Sequence, residues 1–390
     1  MKLVVVGFGQ CGGRVADEFC RLNKTARSRR GIEIITGTYA VNTDAADLSG
    51  LTSIQRGYQH RILIGSRKTG GHGVGKINEL GAEIAREDAD KVIDAIRSTK
   101  RFFETDAFLL IASAAGGTGS GAIAVMSQQI KERYADKPIY NLIVLPFEHE
   151  ETTEDRTVYN TATCLKSCYS VADAVFLVDN QRFVRKDSSI KGNLAKINSM
   201  IAEPFYNMLC AGEEKKPKYI ASKVLDAGDI IQTLVGWTVI GYGKADIPLF
   251  RFPRDRSDFR KKGNETLKGI QTMDEAISEL SLKCNPVDAR RALYLLSGPS
   301  KEMSMDLSKA LGDYMRDIAP EAMIRNGDYP RERGILDVTV ILSELSDLEK
   351  VRGYYTKSTD LIPEFKRRQE ETEIKLKAIE ETSKDIPSLL

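Results

Sequence analysis

No stretch of the sequence is apolar for long enough to cross a bilayer, no two cysteines form a C-x-x-C pair, and the formal charge of +2 leaves no excess of either sign. Each absence removes a class of protein. A near-neutral chain with 29% charged and 42% hydrophobic residues has no electrostatic footprint for nucleic acid. Scattered cysteines (Cys11, Cys20, Cys164, Cys168, Cys210, Cys284) argue against both a disulfide framework and a zinc site. Cys164 and Cys168, spaced one helical turn apart, read as small core residues on one face. The opening MKLVVVGFG is too short, and too soon broken by glycine, to be a signal peptide. The expected location is the cytoplasm, with no membrane insertion. There is no internal repeat. One further absence is local: IASAAGGTGSGAIAV, residues 111–125, crowds four glycines into six positions with no lysine among them.

What is present points to an α/β fold. A length of 390 residues allows two domains. The runs KLVVVGFG, EIITGTYAVNT, HRILIG, AFLLIASA, YNLIVLPF and AVFLVDN are continuously apolar, with helical segments between most of them. That pattern predicts a parallel, Rossmann-like sheet covered on both faces, over residues 1–194. LAKINSMIAEPFYNMLC predicts a long central helix, within residues 195–215, kinked or restarted at Pro204. VGWTVIGYG, ALYLLSGP, EAMIRNGDY and ILDVTVILSEL then read as strands of a smaller α+β domain, residues 216–345, with helices near 265–282 and 303–318. Residues 244–263 show no period and read as a long loop. Within residues 346–390, the charge alternation of 359–384 predicts a solvent-exposed helix, followed by the tail KDIPSLL.

Three glycine loops follow strands. In VVVGFGQCGGRVADEF, Gly7, Gly9 and Gly12 match G-x-G-x-x-G between a strand and a helix, a phosphate-holding setting that by itself favours a nicotinamide-dependent oxidoreductase. In GGTGSG, Gly116, Gly117, Gly119 and Gly121 would let backbone N–H groups converge on an anion, with Thr118 and Ser120 adding hydroxyls. Two cradles on one sheet imply a polyphosphate gripped from both sides, which an oxidoreductase does not need. TGGHGVGKI nearly spells a P-loop, but Ile77 stands where a magnesium ligand is required, so it reads as a loop closing over a terminal phosphate. In AVNTDAADL, Asn42 and Asp44 sit at a strand end, where the carboxylate could hold Mg²⁺ through water, read a ribose hydroxyl, or merely cap a helix.

Taken together these motifs resemble the tubulin and FtsZ superfamily of GTPases over most of the chain. GFGQCGGR is similar to the family's first loop, with GQCG in the tubulin form, which implies nucleotide contacts from Gly9, Gln10, Cys11, Gly12, Gly13 and Arg14, with Gln10 joining Asp44 at the metal. AVNTDAADL and GHGVGKINELG resemble the second and third FtsZ loops, which brings in Asn42, Asp44, Gly71 and Gly73. GGTGSG resembles the signature loop, implying that Gly116 to Gly121 wrap the β- and γ-phosphates. FLVDNQRF resembles the guanine-recognising segment, which places that role on Asn180, with Asn198 of the central helix as second contact. A ribose-binding glutamate is implied within PFEHEETTEDR, where Glu154 suits the spacing to Asn180 and Glu151 is the alternative.

SKVLDAGDIIQTLVGW resembles the acidic FtsZ loop N-x-D-F-A-D-V, with Asp226 and Asp229 at its acidic positions and Val224 in place of asparagine. The resemblance implies GTP/GDP and Mg²⁺ as ligands, a tubulin/FtsZ fold, head-to-tail filaments of the chain with itself, and catalytic acids supplied by the adjacent subunit. It also implies lateral contacts through 244–263 and a protein partner at the tail, which is similar to the terminal FtsZ peptide. The mixture of FtsZ-like loops with a tubulin-like GQCG resembles the archaeal CetZ group, linked to cell shape. An FtsZ-type division ring is the alternative role.

Overall fold

Strands that are apolar along their whole length need cover on both faces, and the connecting helices supply it. The structure, a computed structural model, describes residues 1–184, 190–247, 258–332, 334–384 and 386. Strands β1 (Leu3–Phe8), β2 (Ile35–Asn42), β3 (Arg61–Leu63), β4 (Ala107–Ser113), β5 (Ile139–Leu145) and β6 (Ala174–Asp179) pair in parallel in the order β3-β2-β1-β4-β5-β6. Between them run α1 (Gly9–Arg30), α2 (Ala45–Ser49), α3 (Ser66–Thr69), α4 (Asn78–Glu87), α5 (Ala89–Arg97), α6 (Thr118–Arg133), α7 (Glu148–Thr153) and α8 (Asp155–Val171). Alternation along β1 divides the core: Val4, Val6 and Phe8 face the layer that includes Ile84, Ile123 and Leu165, while Leu3 and Val5 face Val15 and Phe19 of α1. Cys164 and Cys168 are buried on α8 with their sulfurs 4.0 Å apart, as small core residues.

The central helix is α9 (Ile190–Ala211), whose Ile201, Phe205 and Leu209 are buried on the α1 side of the sheet. The helix does not restart at Pro204 but runs through it. Burial of Phe205, Tyr206, Met208 and Leu209 beyond the proline outweighs one missing backbone hydrogen bond. After α9 come α10 (Ala227–Thr233), β7 (Gly236–Asp246), α11 (Asp258–Ser278), β8 (Arg291–Gly298), α12 (Met305–Ile318), β9 (Met323–Pro330), β10 (Ile335–Leu345) and α13 (Glu349–Ser383).

The second set of strands continues the first sheet. β7 pairs in parallel with β6 through Ala174–Phe176 and Gly236–Thr238, β10 lies antiparallel between β7 and β8, and β9 pairs in parallel with β8. One ten-stranded sheet therefore spans the chain. The expected long loop is shorter than its sequence suggests, because β7 extends to Asp246 and α11 begins at Asp258. Residues 248–257, its centre, lie outside the described residues, as does the tail from 385 onward apart from Ile386. The terminal helix starts at Glu349 rather than near 359, and its inner part is not solvent-exposed: Val351 and Tyr354 are buried. No helix among the described residues is long and apolar enough to cross a membrane.

Candidate functional site

In a parallel sheet the strands' carboxyl ends share one edge, where helices begin with unpaired N–H groups. α1 opens directly after β1 and α6 shortly after β4, and no side chain caps either helix. Both amino termini are therefore free to receive an anion. Gly9 has φ +69°, and a Cβ there would lie 3.1 Å from the Gly119 nitrogen, so the GQCG and GGTGSG loops touch. Most of the signature glycines answer to packing. A Cβ on Gly12 would lie 2.1 Å from the Ile111 carbonyl oxygen; Gly117, Gly119 and Gly121 press similarly on Val74, Phe8 and Asn78. Gly13 lies under Leu51, and Gln10 and Arg14 are exposed. Gly116 differs: no atom lies within 4 Å of where its Cβ would be, so the cradle opens at this residue. The Thr118 hydroxyl shares a 2.6 Å hydrogen bond with that of Thr43, and the Ser120 hydroxyl donates to the Gly116 carbonyl.

The second and third loops are fastened to the first by side chains. Asn42 Oδ1 accepts from the Thr43 and Asp44 N–H groups at 2.8 and 3.3 Å. Asp47 accepts from both Asn42 Nδ2 at 3.1 Å and Gln10 Nε2 at 2.6 Å, linking the first loop to the second. Asp44 Oδ1 caps α2 by accepting from Ala46 and Asp47. Its Oδ2 and Gln10 Oε1 have no hydrogen bond among the described residues. Ala45 N–H donates to Gly71 O at 3.0 Å and Gly73 N–H to Thr43 O at 3.1 Å. The lysine of the near-P-loop, Lys76, turns to Glu154 Oε2 at 2.6 Å. Asn160, fully buried on α8, donates to the carbonyls of Lys76, Ala115 and Gly116 at 2.8, 3.1 and 3.2 Å, stapling the TGGHGVGKI loop to the GGTGSG loop. Asp47 lies within AVNTDAADL, whereas Asn160 carries no motif signal and is detectable only as a polar residue on a helix face that is otherwise core.

The acids of α7, and Glu154 just after it, divide by direction. Glu154 is held by Lys76, and Glu151 accepts from the Tyr354 hydroxyl at 2.5 Å, so both ribose candidates already have partners. Glu150 accepts from the Phe147 N–H at 2.9 Å, and its charge reaches Cys11. Burial pushes that thiol up to about 12, Arg14 opposes the shift and Glu150 adds to it. Asn180 heads the turn Asn180–Phe183, capped by Asp179, and α9 packs against this turn. Asn180 and Asn198 are both half-buried.

Asp226 and Asp229 lie at the other edge. They open α10, which leads into the start of β7, where the Gly236 N–H donates to the Asp173 carbonyl at the amino end of β6. Asp226 Oδ1 accepts from the Asp229 N–H at 2.8 Å, and Asp229 Oδ1 accepts from Arg325 Nε at 3.1 Å. Between this edge and the cradle runs α9, whose 22 residues span about 33 Å.

A nucleotide cradle on the carboxyl edge of a sheet that continues past a central helix defines a class. Residues 2–186 match the family model described as the Tubulin/FtsZ family, GTPase domain, and residues 187–360 match Tubulin-like CetZ, C-terminal domain. Tubulin-like protein CetZ1 of Haloferax volcanii is 33% identical over 348 residues, covering 85% of this chain and 84% of that protein. Among solved structures, the GDP-bound monomer of Haloferax volcanii CetZ1 has a TM-score of 0.78 at 29% identity, covering 92% of this chain and 99% of the other. The GTPγS-bound protofilament of CetZ2 from the same organism has a TM-score of 0.79 at 27% identity, covering 94% and 100%. The chain belongs to the tubulin-like CetZ family, with a tubulin/FtsZ-type GTPase domain in its amino-terminal half.

Proposed function

We propose that the chain is a GTP-dependent, self-assembling cytoplasmic cytoskeletal protein that hydrolyses GTP where subunits meet and serves in control of cell shape. The observation that carries this reading is the separation of Asp226 and Asp229 from the cradle by the length of α9. A chain cannot fold its own acids onto its own phosphate site, whereas head-to-tail stacking brings the amino edge of one subunit onto the carboxyl edge of the next. In this reading residues 1–194 bind nucleotide, 195–215 link, 216–345 supply the acids and 346–390 form the terminal helix and tail.

The phosphates would lie across the amino termini of α1 and α6, with Gly116 leaving the room that a side chain would fill. Asn180 and Asn198, half-buried beside each other's elements, are the guanine contacts. Gln10 Oε1 and Asp44 Oδ2 fit Mg²⁺ as partial ligands, the rest being water and phosphate oxygens, and the ion would neutralise phosphate charge that no lysine here meets. Asp229 of the following subunit, with Oδ1 on Arg325, has Oδ2 left to accept a proton from water as the oxygen attacks the γ-phosphorus; GDP leaves and Asp226 holds the loop.

The test is phosphate release and light scattering after GTP addition, across a range of protein concentrations. Turnover per subunit rises steeply once filaments form. Asp229→Ala retains GTP binding and filaments but loses on the order of a hundredfold in turnover. Turnover per subunit that is flat with concentration, or normal in that variant, would overturn the shared site.

A further inference from the structure

The terminal helix α13 reaches the nucleotide edge at three places. Lys350 Nζ lies 2.8 Å from Asp179 Oδ2, while Asp179 Oδ1 accepts from the Gln181 N–H at 3.1 Å and so caps the turn headed by Asn180. Tyr354, 2% exposed, donates its hydroxyl to Glu151 Oε1 on α7, and the Lys350 and Lys357 ammonium groups lie 4.0 and 3.9 Å from the same carboxylate. Phe365 and Tyr159 flank the Arg156 guanidinium, 6.0 and 5.1 Å from the ring centres. Arg156 in turn donates to Asn78 Oδ1 at 3.3 Å, at the start of α4 just after the third glycine loop.

Burial makes these contacts more than surface ion pairs. The side chains of Asp179 and Glu151 are only 11% and 12% exposed. Carboxylates in that position need cationic or hydroxyl partners, and α13, the last helix, supplies them. Removing a partner leaves a buried charge whose easiest relief is movement toward water. For Asp179 that movement carries Asn180 with it, and for Glu151 it carries α7 and Glu150.

We propose that Lys350 and Tyr354 are positioning residues of the guanine-nucleotide site: through Asp179 and Glu151 they fix the Asn180 turn and α7, and so set how slowly bound nucleotide is released and how strictly guanine is chosen. This rests on the reading of the site as a GTP site. It gives the terminal helix a task inside the subunit, acting through carboxylates that line the site's back rather than by touching the nucleotide.

The experiment measures displacement of a fluorescent GDP by excess GTP in the full chain, below the concentration at which it assembles. The same assay is run with IDP, which lacks the guanine 2-amino group, and melting temperature is recorded for each variant. Lys350→Met releases GDP on the order of tenfold faster and narrows the preference for GDP over IDP. Lys350→Arg, which keeps the charge, restores slow release. Asp179→Asn keeps the acceptor for Gln181 and removes the charge that Lys350→Met leaves unpaired, so adding it to Lys350→Met restores slow release. Tyr354→Phe shifts release in the same direction, and decides the matter if Lys350→Met does not fold. GDP release at the natural rate in Lys350→Met and Tyr354→Phe, or a lowered melting temperature with unchanged release and base preference, overturns the inference. A natural chain that retains no guanine nucleotide at all overturns the GTP-site reading itself, a distinct result.

Discussion

Gly12 and Gly116 occupy neighbouring glycine loops but meet different demands. The first lets α1 press onto β4, the second leaves space at the cradle mouth. Gly12→Ala forces a methyl against the Ile111 carbonyl and lowers stability by about 2 kcal/mol or more, read as a drop in melting temperature. Gly116→Ala folds normally, since its methyl meets nothing in the chain, but weakens GTP binding on titration. A result in which both variants melt normally and bind GTP equally would remove this division of labour. Glycine spacing made all these positions legible in the sequence; which glycine faces a strand and which faces space depends on residues about a hundred positions away. Asn160 was not legible for the same reason. Its partners are loop carbonyls brought close only by the fold.

At the scale of elements, α10 shows how a half-buried acid is kept in one place. Arg325 on β9 donates Nε to Asp229 Oδ1 and Nη2 to the Gln232 side chain, holding two successive turns of the helix. Arg325→Ala frees the carboxylate to rotate and lowers kcat in assembled filaments on the order of tenfold, with GTP affinity unchanged. An unaltered kcat would make the pair a surface contact of little value. The strands were legible because parallel strands buried on both faces need unbroken apolar runs. The long helix was legible too, but not its continuity through Pro204, which rests on packing against the sheet. The inner part of α13 was missed since its burial comes from α8, far away in sequence, and local charge alternation describes only the outer turns. The partners of the two acids proposed for ribose, Lys76 for Glu154 and Tyr354 for Glu151, were not legible, because they lie 78 and 203 positions away.

For the whole molecule, the decisive property is that cradle and acids sit on opposite edges of one sheet. Two crippled chains should then repair each other. Gly116→Val lacks a working cradle but presents Asp226 and Asp229; Asp229→Ala binds GTP but presents no base. Mixed, they form interfaces with one intact face from each, and turnover rises well above the sum of the separate variants. Simple addition of the two low rates would place the acids and the nucleotide in the same subunit.

The join between β6 and β7 has a mechanical meaning. β6 meets β7 over three residue pairs, whereas β1 meets β4 over six. In subunits stacked head to tail as proposed, load would enter at the amino edge beside α10 and leave at the carboxyl edge beside the cradle, crossing that narrow seam and the shaft of α9. A fibre built from such units would then have its elastic give inside each unit as well as between units. Its bending stiffness would respond to substitutions along the seam and the buried side of α9, far from any surface where one subunit touches the next.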